Sequence, residues 1–224
     1  MRVGVCESSF KEGYILRTFG LEREKLNYPR VYEWLGGIDI YFDNEEDWKR
    51  AQQELGFYVY ADDKKEMEEV VGELLKERGL KLAVAESCTG GLLSARLVNV
   101  PGSSQYFLGS FVVYSNELKT KLLSVERELL QEHGAVSEEA CRAMCISALE
   151  ETDADISIAI TGIAGPSGAT PTKPVGLTYI ALSTDKEVIV ERHVLKLGRN
   201  ENRFLATQLA LNLLRKFLLG VIRW

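Results

Sequence analysis

The sequence predicts a layered α/β fold, a sheet with flanking helices, preceded by a small α+β module. From about residue 63 onward, short apolar runs alternate with segments of helical periodicity, as in a sheet covered by helices. One run, 155–161, is apolar at Ile156, Ile158, Ala159 and Ile160, which predicts a buried strand. Most of the aromatic residues instead precede residue 63, in short alternating segments. We therefore divide the chain into a module over 1–62 and an α/β domain over 63–224.

Individual elements follow from the local patterns. In the module, alternation predicts strands over 14–19, 37–42 and 57–60, and a helix over 45–55 that Gly56 ends. In the larger domain, we expect strands over 80–85, 109–114 and 155–161, a hairpin over 175–197, and helices over 63–78, 116–123, 137–151 and 200–219.

Composition limits the classes of partner. The formal net charge of -6 argues against a general nucleic-acid binder, which needs a basic face. The four cysteines and two histidines lack the clustered spacing of a metal site, so we expect no metal and no cofactor. Without a signal peptide or a membrane-length apolar run, we expect a cytoplasmic protein with no membrane partner. Exposed aromatics and an edge strand in the module favour a homodimer.

The first candidate site follows the apolar run 82–85. A strand that ends in hydroxyls and glycines before a helix can present a nucleophile, here Ser87, at the edge of a sheet. The amides of Thr89, Gly90 and Gly91 would open the next helix and could hold an oxyanion or a phosphate. Ser and Thr at this place can equally serve only as a helix cap. No lysine follows the glycines, so the segment is not a P-loop.

Lys119 is the best candidate for a general base. It falls in the first turn or so of a predicted helix, where the positive helix end and burial would both lower the pKa of its ammonium group. A serine with a lysine base is an established alternative to a Ser-His-Asp triad. A solvated surface lysine is the competing interpretation.

Two further segments could bind substrate. Thr161, Gly162 and Gly165 lie in a Gly/Pro-rich loop after a buried strand, where α/β sheets place ligands. Arg199 and Arg203 begin the last helix, and Arg203 could clamp a phosphate or could be an exposed helix charge.

Five motifs in register resemble the C-terminal domain of the CinA family, the nicotinamide mononucleotide deamidases. They are Ala85-Glu86-Ser87-Cys88-Thr89-Gly90-Gly91, Pro101-Gly102-Ser103-Ser104, Tyr114-Ser115-Asn116-Glu117-x-Lys119, Gly134-Ala135-Val136-Ser137 and Thr161-Gly162-Ile163-Ala164-Gly165-Pro166. The resemblance runs from about Lys64 to the C-terminus. More loosely, 16–22 and 58–60 are similar to the KH-type linking domain of longer CinA proteins, without a G-x-x-G clamp for RNA. Nothing corresponds to the leading domain of those proteins, so we expect a shortened form or a fragment.

The resemblance implies an amidohydrolase that converts nicotinamide mononucleotide to nicotinic acid mononucleotide and ammonia through a Ser/Lys dyad. Lys119 matches the family lysine, Tyr114 is a nearby hydroxyl, and both Ser87 and Ser104 match family serines. The residues themselves favour Ser87 as the nucleophile, with Ser104 orienting Lys119 or the amide. The alternative is a catalytically inactive nucleotide-binding or regulatory module of the same family.

Overall fold

A computed structural model describes residues 13–222. The chain forms two compact units, the first ending at Glu66 and the second beginning at Met67. The division expected from the sequence, after residue 62, lies four residues earlier. Cys6 and Phe10, counted among the cysteines and aromatics of the sequence, lie outside the described residues.

The first unit is a four-stranded antiparallel sheet with one helix. Its elements are β1 (Tyr14–Thr18), β2 (Val31–Trp34), β3 (Gly37–Phe42), α1 (Glu45–Leu55) and β4 (Val59–Ala61), with strand order β2-β3-β1-β4. The Asn44 side chain accepts a hydrogen bond from the Asp47 amide and so begins α1. Leu16, Ile40 and Ala51 are buried in its core. This confirms the α+β class, although the sequence had not indicated β2.

The second unit contains a mixed five-stranded sheet. Its strands are β5 (Leu82–Glu86), β6 (Phe107–Val112), β7 (Ile156–Gly162), β8 (Leu177–Ser183) and β9 (Val188–Val194), in the order β6-β5-β7-β8-β9. The first three are parallel, whereas β8 and β9 are antiparallel additions. The parallel strands β5 and β7 are almost wholly buried, as continuous apolar runs predict.

Helices cover both faces of this sheet, which confirms the layered α/β class. One face carries α2 (Met67–Arg78), α3 (Leu92–Val98) and α7 (Arg199–Leu218), and the other carries α4 (Asn116–Leu123), α5 (Arg127–Glu132) and α6 (Glu138–Glu150). Both α6 and α7 pack on β7 and β8, from opposite sides. Within residues 13–222, no helix is long and apolar enough to cross a membrane.

The face under α6 is filled by small and sulfur-containing side chains. Cys141, Met144 and Cys145 are fully buried there. The Cys145 thiol contacts the Ser157 carbonyl at 3.4 Å, and burial raises the pKa of this thiol to about 12. These cysteines are therefore packing residues. In the described part of the chain, no group of three or more His, Cys, Asp or Glu residues could hold a metal ion.

The topology creates a crevice at the carboxyl ends of β5 and β6. The chain leaves β5 towards α3 on one face and leaves β6 towards α4 on the other. Adjacent parallel strands with connections on opposite faces form a topological switch point, where open α/β sheets bind ligands. Ser87 follows β5 directly, and Lys119 lies in the helix after β6.

The junction between the β7–β8 loop and β8 depends on Gly176. Its φ is +84°, its carbonyl accepts a hydrogen bond from the Leu195 amide, and a Cβ there would lie 1.7 Å from the Leu195 carbonyl oxygen.

Gly79 has a similar φ of +64° with open space around it. We expect Gly79→Ala to lower the free energy of unfolding by about 1 kcal/mol and Gly176→Ala by at least about 3 kcal/mol. Urea unfolding of both variants measures the difference, and equal losses would contradict the clash.

Candidate active site

A serine and a lysine from separate connections meet at the switch point. Lys119 Nζ lies 3.1 Å from Ser87 Oγ, 2.8 Å from the Val113 carbonyl oxygen and 3.4 Å from the Tyr114 carbonyl oxygen. The Lys119 residue is 1% exposed and Ser87 is 8% exposed. The two functional groups are therefore in hydrogen-bond contact and largely out of water.

The local structure explains how Lys119 reaches this position. The Ser115 side chain accepts a hydrogen bond from the Leu118 amide and begins α4, so that Lys119 falls at its fourth residue. The Val113 amide donates to the Glu86 carbonyl at 2.8 Å, which fixes the end of β6 beside the end of β5. Lys119 consequently points back over the strand ends at Ser87.

The surroundings of Lys119 favour a neutral amine. Burial lowers the pKa of its ammonium group, and no carboxylate forms an ion pair with it among residues 13–222. The carbonyls of Val113 and Tyr114 can accept two N–H bonds. In the neutral amine, the remaining tetrahedral position faces Ser87 Oγ and holds the lone pair. Lys119 can thus accept the proton of the Ser87 hydroxyl.

The turn after Ser87 differs from the arrangement that the sequence predicts. The carboxylate of Glu86 accepts hydrogen bonds from the amides of Gly91, at 3.1 Å, and of Leu93. The Gly90 amide donates to the Ser87 carbonyl at 3.1 Å. The expectation that the Gly90 and Gly91 amides hold an oxyanion is therefore corrected, because both already have protein acceptors.

Thr89 retains unused hydrogen-bonding groups. Its amide has no acceptor among the described residues, and its fully buried hydroxyl has no partner there either. Cys88, its neighbour, is buried, and desolvation raises the pKa of its thiol to about 11. The Thr89 amide is thus the predicted oxyanion donor that has no acceptor among residues 13–222, on a residue that is 0% exposed. Cys88 carries no thiolate near neutral pH.

Ser104 does not join this group. It lies in the short 3-10 helix Ser103–Gln105 before β6, and it is exposed. Phe107 at the start of β6 pairs with Leu82 at the start of β5, whereas Ser87 follows the end of β5. At about 3.3 Å per residue, the two serines lie at opposite edges of the sheet, roughly 16 Å or more apart. The role assigned to Ser104 from the sequence is corrected for this reason.

Two arginines from the first turn of α7 reach the same edge. Arg203 Nη2 donates to the Thr89 carbonyl at 2.8 Å. Arg199 donates to the Gly165 carbonyl at 2.8 Å and to the Tyr114 hydroxyl at 3.2 Å. From the sequence, only Arg203 is predicted to bind substrate, although a spacing of four residues places both arginines on one helix face.

The basic side chains at this edge have no carboxylate partner in the described part of the chain. Lys119, Arg199 and Arg203 all lack an ion pair there, although the whole chain carries a formal charge of -6. Each guanidinium is hydrogen-bonded only to neutral oxygens. This arrangement favours an anionic ligand.

Thr161 and Gly162, which the sequence predicts in a loop, are instead the last two residues of β7, and the β7–β8 loop contributes one rim carbonyl. The buried Thr161 hydroxyl donates to the Ala135 carbonyl at 2.7 Å, so it is engaged within the protein. A Cβ at Gly162 would lie 3.2 Å from Cys88 Sγ and 2.8 Å from the Leu177 carbonyl oxygen. Gly165 presents its carbonyl to Arg199. Thr161 and Gly162 therefore brace the edge of the sheet, and Gly165 lies at the rim.

The model of the CinA C-terminal domain family matches residues 64–218. The chain belongs to this family. A CinA-like protein of Sulfurihydrogenibium is 42% identical over 219 residues, covering 92% of this chain and 55% of that protein. A CinA-like protein of Citrifermentans bemidjiense is 48% identical over 168 residues, covering 75% and 41%. The chain thus spans about half the length of the curated relatives that it matches.

Solved CinA superfamily structures share the α/β architecture. The protein of Klebsiella pneumoniae 700603 is 32% identical with a TM-score of 0.67, covering 69% of this chain and 96% of that one. The Escherichia coli protein is 29% identical with a TM-score of 0.65, covering 72% and 97%. The KH-type character of the first unit stays a prediction.

The burial of Lys119 in this CinA domain has a measurable consequence for stability. Because its folded pKa lies below the ordinary 10.5, the unfolded chain binds more protons between those two values, and stability rises with pH across that window. We expect the free energy of unfolding of the wild type, relative to Lys119→Met, to increase from pH 8 to pH 10.5 in urea titrations. Lys121→Met, in solvent on the same helix, is the control. A constant difference would mean that Lys119 is not buried as a neutral amine.

Proposed function

We propose that the protein is an amidohydrolase that converts nicotinamide mononucleotide to nicotinic acid mononucleotide and ammonia. The observation that carries the proposal is the contact of 3.1 Å between Lys119 Nζ and Ser87 Oγ, with Lys119 buried. Its resemblance to the nicotinamide mononucleotide deamidases supplies the substrate. Membership of the CinA family is consistent with both the Ser/Lys chemistry and this substrate.

Catalysis proceeds through an acyl-enzyme. Neutral Lys119 takes the hydroxyl proton of Ser87 while Oγ attacks the carboxamide carbon, and the Thr89 amide donates to the developing oxyanion. The Lys119 ammonium then protonates the amide nitrogen, the C–N bond breaks and ammonia leaves. Lys119 next takes a proton from water, whose oxygen attacks the ester. When the tetrahedral intermediate collapses, the acid is released and Ser87 Oγ recovers its proton from Lys119.

The phosphate of the nucleotide would bind at the start of α7. Arg203 and Arg199 offer guanidinium groups that neutral oxygens hold in place without neutralising them. A phosphate would replace these neutral acceptors with a charge-assisted pair. Tyr114, whose hydroxyl contacts Arg199, would border the same ligand. Each step uses side chains, the backbone and water alone, so the proposed reaction needs no cofactor.

Several partner assignments stay predictions. The cytoplasmic location and the lack of nucleic-acid or membrane partners rest on the sequence alone. For the expected homodimer, the second unit adds one supporting feature: edge strand β6 exposes Leu108 by 46% and Val112 by 44% and carries no charged residue.

Paired serine variants test the nucleophile. We expect Ser87→Ala to lower kcat for ammonia release below about one thousandth of the wild-type value, because no other hydroxyl of residues 13–222 contacts Lys119. Ser104→Ala should retain kcat within about twofold, since surface substitutions away from the site change little. Ammonia and nicotinic acid mononucleotide are measured together. Tight nucleotide binding without turnover in the wild type would instead favour the inactive module.

The arginines are tested through substrate affinity. We expect Arg203→Met to raise KM about tenfold or more, because a charge-assisted bond to phosphate contributes about 1.5–3 kcal/mol. Arg142→Met, at a half-buried arginine that pairs with Glu138 on α6, is the matched control. Nicotinamide riboside, which lacks the phosphate, should react equally poorly with the wild type and Arg203→Met. A KM unchanged by Arg203→Met would place the phosphate elsewhere.

A further inference from the structure

Glu86 is a buried carboxylate that the proposed reaction does not use. It is the last residue of β5, directly before Ser87, and it is 0% exposed. Its Oε2 accepts hydrogen bonds from the amides of Gly91 and Leu93, both at 3.1 Å. Its Oε1 accepts from the Ser94 amide at 2.9 Å and from the Ser94 hydroxyl at 2.5 Å. Four donors thus converge on one carboxylate.

This carboxylate adds a hydrogen-bonded link between the end of β5 and the start of α3, across the turn 87–91. The backbone of Glu86 pairs with β6 and β7, and its carbonyl accepts from the Val113 amide. Its side chain meanwhile holds the first turn of α3, where free amides and the helix dipole favour a negative charge. Both ends of the turn that contains Ser87 and Thr89 are therefore fixed by one residue.

The bonds of Glu86 separate it from the proton transfer. Lys119 Nζ is within hydrogen-bond distance of Ser87 Oγ and of two carbonyls, and it forms no hydrogen bond with Glu86. The Glu86 oxygens are in turn occupied by donors of α3. Glu86 is therefore neither a counter-ion nor a proton acceptor for Lys119.

We propose that Glu86 is a positioning residue, which holds the turn 87–91 so that Ser87 Oγ faces Lys119 and the Thr89 amide stays free for the oxyanion. This inference rests on the proposed role of Ser87 as the nucleophile. Because Glu86 accepts hydrogen bonds from the amides at the start of α3, that helix end binds the protein's own carboxylate. The anionic group of the substrate is then left to the arginines of α7.

Isosteric substitutions separate positioning from simple stability. Glu86→Gln keeps the shape but turns an N–H donor group towards amides that also donate, so it breaks the contact with α3. Ser94→Ala removes one of the four donors and keeps the charge. Glu68→Gln is the matched control, because Glu68 is also a buried carboxylate that binds α3, through Arg96 at 2.7 Å, near the other end of the helix.

The experiment measures the rate at which a small alkyl fluorophosphonate labels Ser87, mapped by peptide mass spectrometry, at a temperature where every variant is folded. We expect Glu86→Gln to label about 100-fold more slowly, as for a nucleophile misplaced by about 1 Å. Ser94→Ala should label a few-fold more slowly. Glu68→Gln should label within about twofold of the wild type although its Tm falls, since the altered contact is distant from the turn. Where turnover is measured, kcat should fall with KM unchanged.

The outcomes are distinguishable. Labelling of folded Glu86→Gln at the wild-type rate would overturn the proposal, and so would an equal loss in Glu68→Gln, which would indicate general destabilisation. If Glu86→Gln does not fold, Ser94→Ala decides, and wild-type labelling there overturns the positioning role. A wild type that labels at Ser87 but releases no ammonia would refute the amidase and leave the role of Glu86 standing. An unlabelled wild type would refute both.

Discussion

The candidate site depends on a lysine that is buried with no carboxylate partner among the residues that the structure describes. Desolvation of the Lys119 ammonium group lowers its pKa, and a nearby Asp or Glu would restore the charge and end its use as a base. Two backbone carbonyls satisfy its N–H bonds without adding a full negative charge. These two carbonyls also leave the remaining tetrahedral position of Lys119 Nζ directed towards Ser87 Oγ. Glu86, the carboxylate next to Ser87 in the chain, directs its hydrogen bonds to α3 and not to Lys119.

The topology makes such a meeting possible between segments that are distant in sequence. Because α3 and α4 leave neighbouring parallel strands towards opposite faces, the crevice between them receives a hydroxyl from one connection and an amine from the other. The β7–β8 loop and the first turn of α7 end at the same edge, since β8 and β9 run antiparallel and return the chain there. Four segments therefore contribute to one site, and each is held by backbone pairing at its base.

The sequence predicted the parts of this arrangement that depend on local pattern. The layered α/β class and the strand and helix periods are such features, and so is the choice of Ser87 and Lys119 as a pair. Ser104 could not be excluded, because a serine turn before a strand resembles one after it until the strand's direction in the sheet is known. The role of Glu86 was missed for a related reason: a carboxylate at the end of an apolar run gives no sign of which amides it accepts from. Arg199 and Arg203 differ only in the groups that they contact, and the sequence does not indicate those contacts.

The two helix ends at the site have opposite roles. The end of α3 is filled by Glu86, whose charge is matched by three amides and a hydroxyl and is thus directed away from the crevice. The end of α7, a helix of 20 residues, instead carries two guanidinium groups bound to neutral oxygens. In the proposed reaction, the first arrangement would fix the nucleophile, and the second would add a positive field at the rim. An anionic substrate would then be oriented before any reaction, with its charge at α7 and its scissile group at the turn that Glu86 holds.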